Sequence, residues 1–138
     1  VNEVDGALYS RLSGDSTLMA LIPGGVWRMV APEGTTGAYA VFQLVSAEAD
    51  QRTLGTGGPT ISRLLYQVKV IEKGTSAANA KNALDRVNIL LNDYALSLSP
   101  DYLLVSRREA RIPDTVERFD NEETYQSVGA SYRIEVVE

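Results

Sequence analysis

Three clusters in this 138-residue sequence carry residue types that could do chemistry. Asp114, Glu117, Asp120, Glu122 and Glu123 crowd one segment, and carboxylates can act as a general acid and base or hold a hard cation. Acid–base work requires a carboxyl buried in an apolar cleft, whereas these acids fall in the most polar stretch of the chain. Their spacing also matches no EF-hand loop. They read as a solvated connection, with a small carboxylate-dependent enzyme as the alternative. Leu54-Gly55-Thr56-Gly57-Gly58 has the glycines of a phosphate loop, but such a loop needs a Gly-Lys-Ser/Thr end and a helix behind it. Pro59 and a strand-like run follow instead, so Gln51, Arg52, Leu54, Gly55, Gly57 and Gly58 read as a hairpin tip that could touch a partner. Arg107, Arg108 and Arg111, joined by Arg118, form a basic patch. That patch suits an edge strand guarded by charge, or salt bridges to a neighbouring subunit, since arginine pairs bidentately and tolerates partial burial. DNA contact is its third reading.

The rest of the composition removes chemistry. With no cysteine and no histidine, disulfides, thiolate zinc sites, Cys nucleophiles and imidazole bases are excluded. The serines lack a histidine partner, and Lys69 and Lys73 lack a Ser-x-x-Lys context. Nothing implies an enzyme, a cofactor or a metal. Thirteen Lys and Arg against eighteen Asp and Glu give a net charge of −5, a field that repels phosphate backbones and anionic membranes. The first five residues hold two acids and no base, so no secretory signal is expected there. No apolar stretch is long and unbroken enough to span a bilayer. A soluble protein made in a cytoplasm is the expectation.

These clusters must be positioned by regular elements. Val1, Val4, Leu8 and Leu12 recur at helical spacing, with Glu3, Asp5 and Arg11 off the stripe. Asp15 or Ser16 can cap a short second turn, Thr17–Ile22, before Pro23-Gly24-Gly25. Val26–Val30 is β-prone. In Ala38–Ala49, Tyr39, Val41 and Val45 take one side and Ala40, Phe42 and Leu44 the other, so both faces read as covered. Ile61–Lys73 alternates, with Leu64, Tyr66, Val68 and Val70 inward and Arg63, Gln67 and Lys69 outward. A helix from about Ser76 to Asn92 shows apolar spacings of three and four, with alanines in its first half for close approach to a sheet. Tyr102–Ile112 is a charged strand, Pro113–Glu123 a polar connection, and Thr124–Val137 a strand with Val128, Ala130, Tyr132, Ile134 and Val136 on one face. Gly129 within it signals a bulge or a close backbone approach.

Strands outnumber helices and come in runs, which predicts one α+β domain over residues 1–138. Its sheet is mainly antiparallel with four to five strands, two helices pack on one face, and a β-hairpin protrudes. The strands before and after the long helix can pair in parallel, making the sheet mixed. At about 3.3 Å per residue, Ile61–Lys73 extends to roughly 40 Å. The hairpin it forms with Ala38–Ala49 is expected to overrun the body and expose edges of the kind assemblies use for strand addition.

In order along the chain, several elements resemble the tail terminator, or tail completion, proteins of long-tailed bacteriophages. They are the Leu8/Leu12 helix, the Leu18–Ile22 turn leading into Val26-Trp27 and Pro32, and the strand Tyr39–Leu44. The alternating strand Tyr66–Val70, the helix Ala77–Leu91 and the strand Tyr132–Val136 complete the pattern. Family members often carry Pro-Tyr before the second strand, where Ala38 precedes Tyr39 here. The resemblance implies a siphovirus-type virion protein without catalytic residues. It would form a hexameric ring on the head-proximal end of the tail tube, stop tube polymerisation and dock the neck. The partners so implied are other copies of the chain, the tail tube protein and a neck or head-completion protein, with assembly in the host cytoplasm. DNA would pass nearby without specific binding, and no membrane is involved. A head-completion or neck adaptor, or a generic protein-binding module, is the alternative.

Overall fold

Val4, Leu8 and Leu12 are all buried along one face of a first helix, α1 (Asn2–Ser13), as their spacing requires. A computed structural model describes residues 2–31, 37–51, 60–74, 78–92, 94–97, 103–118 and 124–137. After α1 come α2 (Ser16–Leu21), β1 (Val26–Arg28), β2 (Tyr39–Gln51), β3 (Thr60–Lys73), α3 (Ala78–Leu91), β4 (Tyr94–Ser97), β5 (Leu103–Arg118) and β6 (Thr124–Val137). The strands form one sheet in the order β1-β2-β3-β6-β5-β4. Only β1 and β2 are parallel, and every other neighbouring pair is antiparallel.

The α+β class with a mixed sheet therefore stands, with differences in detail. The sheet has six strands rather than four or five, because Tyr94–Ser97 pairs with the start of β5. The turn after α1 is a third helix. The parallel pair is β1–β2, since β3 lies between β2 and β6 and meets both antiparallel. β5 runs on through Pro113 by way of a bulge instead of ending at Ile112. The β2–β3 ladder continues to Gln51↔Thr60. The expected tip at Gly55–Gly58, and with it any overrun of the body, lies outside the described residues.

One core sits between the helices and one face of the sheet. Ala40 and Phe42 of β2, Leu64, Tyr66, Val68 and Val70 of β3, and Val128, Ala130, Tyr132 and Ile134 of β6 meet Ala80, Ala83, Leu84, Val87, Leu90 and Leu91 of α3. Burying each large side chain contributes about 1.5–3 kcal/mol. The opposite face is not covered as the apolar pattern of β2 suggests: Tyr39 and Val41 are half-buried, and Gln43 and Val45 are exposed. A bulge between Leu44 and Ser46 breaks the alternation there.

Polar contacts fix the helices on the sheet. Asp15 caps α2, accepting from the Leu18 N–H at 2.9 Å, and is gripped by Arg86 of α3 through two bonds of 2.8 Å. The Glu72 carboxylate accepts from the Ala80 N–H at 2.9 Å, capping α3 from a neighbouring strand. Asp5, which its place off the apolar stripe marks as solvated, is only 9% exposed. It accepts from the Tyr66 hydroxyl at 2.6 Å and pairs with Arg28 at 2.8 Å, tying α1 to β3 and β1.

Two predictions arise from this packing. The Arg86 hydrogen bonds, against the opposing effect of burial, lower the Asp15 pKa from 3.8 to about 2. A depressed folded-state pKa stabilises above the unfolded value, and that contribution is lost as pH falls from about 4 through about 2. Arg86→Met should therefore flatten the dependence of Tm on pH between about 2 and 4, as read by circular dichroism. Gly129 is the second case. A Cβ there would stand 2.8 Å from the Val68 carbonyl oxygen, 3.0 Å from Lys69 Cγ and 3.2 Å from Ile112 Cδ1. The glycine thus marks a close backbone approach, and Gly129→Ala should cost about 1–3 kcal/mol in urea unfolding, the usual penalty of overpacking.

Candidate functional site

The sheet order leaves two lateral edges of different character. On one side β4 covers β5 only from Leu103 to Ser106. β5 continues to Arg118 with bulges between Arg108 and Ala110 and between Ile112 and Thr115. Bulges, a proline and charge are the features that stop an edge from templating another strand.

The first bulge also decides where the arginines lie. Strict alternation places Arg107, Glu109 and Arg111 on one face and Arg108 on the other. The bulge inserts one residue, so Arg108 stands opposite Tyr132 and Arg111 opposite Ala130. Those partners are two residues apart on β6, hence on one face, the face that carries the helices. Both arginines are exposed. Arg107 pairs with Arg133 in the ladder, and its side chain lies outside the described ones. The Arg108 backbone N–H donates to Asn92 Oδ1 at 2.9 Å, which holds the end of α3 over β5. Asp85, Ile89 and Asn92 recur at helical spacing along this flank, and Ile89 is 65% exposed.

Electrostatics along this edge reach the core. Burial pushes the Tyr132 phenol up to about 12, opposed by Arg108 and reinforced by Asp85. On the open face of the sheet, Arg133 donates to the Glu109 carboxylate at 2.9 Å, Arg63 pairs with Glu135 at 3.6 Å, and Gln43 Nε2 donates to Gln67 Oε1 at 3.1 Å. Such exposed pairs contribute little stability. They place polar pairs across β2, β3, β6 and β5.

On the other side, β1 covers β2 only along Ala40–Phe42. The chain then turns at Met29, whose φ of 65° is the left-handed region. For a non-glycine residue this costs about 1–2 kcal/mol. Its N–H donates to the Phe42 carbonyl at 2.8 Å, and the Val30 N–H to the Arg28 carbonyl at 2.8 Å. This turn presents Met29, 57% exposed, and Val30, 77% exposed, on the edge where the β2 bulge presents Val45, 53% exposed.

Of the remaining sequence candidates, Gln51 closes β2 opposite Thr60, with its side chain outside the described ones. Arg52, Leu54, Gly55, Gly57 and Gly58 lie outside the described residues. In the acid run, Asp114 and Glu117 fall on β5 rather than in a loop, with undescribed side chains, and Asp120, Glu122 and Glu123 lie outside the described residues. Among the described residues no three acids gather as a metal site would require. The exposed apolar residues are what sequence reasoning missed. Ile89 falls off the apolar stripe of α3, a readable signal, while Val45 lies at a bulge that periodicity does not reveal.

The family model for tail completion protein gp17 matches residues 6–136. No curated protein matches the chain. A chain in the virion of a native gene transfer agent particle superposes with a TM-score of 0.69 at 23% identity, covering 99% of this chain and 96% of that one. A second solved chain superposes with a TM-score of 0.61 at 15% identity, covering 96% and 94%. At such identities these structures speak for the fold, while the family match spans nearly all of the sequence. The chain belongs to the tail completion protein gp17 family and is a structural protein of a phage-type virion.

Proposed function

We propose that this protein closes the head-proximal end of a phage tail tube, stops its polymerisation and offers a surface on which the head or neck docks. The observation that carries this reading is the tail completion family match over residues 6–136. In this reading the chain works as a homo-oligomeric ring, hexameric as in the family it resembles. It contacts the tube protein on one side and a neck or head-completion protein on the other. A net charge of −5 suits a subunit beside a DNA passage, since it does not grip the phosphate backbone. Arg107, Arg108 and Arg111 serve in subunit contacts, and the segment Gln51–Gly58 in contacts to a partner.

The test is the choice of partner. The purified protein is incubated separately with tails lacking it and with DNA-filled heads, and each mixture is sedimented and imaged. Binding to one end of tails is expected. Binding to filled heads alone would move the protein to the head side as a head-completion adaptor.

A further inference from the structure

We propose that the protein binds an ordered internal water between the Tyr132 hydroxyl and Asn88 Oδ1, a site that joins α3 to β6. It belongs to the chain by itself and stands apart from any role in assembly.

Among the described residues, two buried side-chain polar atoms lack a hydrogen-bond partner, the Tyr132 hydroxyl and Asn88 Oδ1. Leaving such groups bare is costly, and buried polar atoms in folded proteins are satisfied by protein or by ordered water. The two lie on facing elements. Tyr132 is wholly buried on the helix-bearing face of β6, and in the ladder it stands opposite Arg108 of β5. Asn88 is on α3, one turn before Asn92, whose N–H donates to the Asn88 carbonyl at 2.8 Å. Asn92 in turn accepts from the Arg108 N–H at 2.9 Å. The Tyr132 phenol feels the charges of both Arg108 and Asp85. Asp85, Asn88 and Asn92 recur at helical spacing on one flank of α3, so the phenol ends beside the turn that carries Asn88.

The chemistry of the pair selects the occupant. An amide oxygen only accepts, so the ligand must donate, and a phenol both donates and accepts. An anion would meet the acceptor Oδ1 unfavourably. A metal cation would need clustered acids, and no three gather among the described residues. A neutral, small, two-way hydrogen-bonding molecule remains, and water is that molecule. The two protein atoms do not bond each other, whereas a water between them reaches both at ordinary distances of about 2.7–3.0 Å. It donates to Asn88 Oδ1 and accepts from the Tyr132 hydroxyl. The water thus ties α3 to β6 one turn before Asn92 ties α3 to β5.

High-resolution crystallography of the native protein reads the site directly. One density peak should stand about 2.6–3.2 Å from both Tyr132 Oη and Asn88 Oδ1. In solution, oxygen-17 relaxation dispersion counts the waters held for longer than the protein tumbles. That count should fall by one in Tyr132→Phe/Asn88→Leu, which replaces the polar pair by apolar groups of similar shape, and circular dichroism establishes that the variant is folded. Tyr132→Phe alone strands no protein group, because the same water still serves Asn88, so unfolding is not the readout. A map in which the two side chains bond each other or other protein groups, with no peak between them, would overturn the proposal. An unchanged count of long-lived waters in the folded double variant would do the same. Should the double variant fail to fold, the native map decides.

Discussion

Asp5→Ala is expected to lower the free energy of unfolding by about 3 kcal/mol, a hydrogen bond to a charged group with its buried partner left unmatched. For a chain of this length that is roughly a 10 °C fall in Tm. The carboxylate sits at the start of α1 and joins three elements, accepting from Tyr66 of β3 and pairing with Arg28 of β1. The Tyr66 hydroxyl is wholly buried, and burial followed by the bond to Asp5 raises its pKa well above the usual phenol value. Without Asp5 that hydroxyl loses its acceptor.

Tyr66→Phe should cost somewhat less, about 1.5–3 kcal/mol, because Asp5 keeps Arg28. Arg28→Ala should cost under about 1 kcal/mol, since the Arg28 side chain is 57% exposed and its pair is partly screened by water. Tyr132 provides the contrast. It is equally buried, but its hydroxyl has no hydrogen-bond partner among the described residues, so Tyr132→Phe should be close to neutral. Urea denaturation of the four variants checks the ranking. Equal losses for the two tyrosine variants would contradict the role given to Asp5.

The second large effect is on association. Arg108→Glu/Arg111→Glu should leave the monomer folded, because both side chains are exposed and their strand is held to β6 by backbone pairing. Association between copies should weaken at least ~30-fold, the consequence of losing about 2 kcal/mol or more at a charged contact. Raising the salt concentration should weaken the native assembly and partly restore the variant, since screening reduces attraction and repulsion alike. Sedimentation velocity at two ionic strengths reads both trends. Unchanged association would remove the arginines from the contact.

Periodicity carried much of this architecture. Val4, Leu8 and Leu12, the alternation from Leu64 to Val70 and the stripe of α3 each specify which side is buried, because each repeats at its element's own period. The last strand, Thr124–Val137, is readable to the residue for the same reason. What periodicity does not carry is any residue that breaks it. The bulge after Arg108 moves Arg111 to the opposite face from the one alternation assigns, and the bulge between Leu44 and Ser46 breaks the alternation of β2. Asp5 is hidden for another reason. A carboxylate off an apolar stripe looks solvated until a tyrosine 61 residues away is seen to donate to it.

Sheet order follows from contacts between distant segments, and Tyr94–Ser97 is too short to stand out before β5 is there to pair with it. The candidate surfaces divide in the same way. The arginines announce themselves by charge, whereas Met29 and Val30 become notable only once the turn that presents them is seen.

As proposed above, this protein ends a tail tube. The most direct measurement is the length distribution of tubes, imaged by electron microscopy, when purified tube protein polymerises from preformed initiation complexes with and without this chain. The added protein should arrest growth, giving shorter tubes with a ring-shaped density at one end. Tubes that grow on to the same indefinite lengths, with both ends bare, would contradict it.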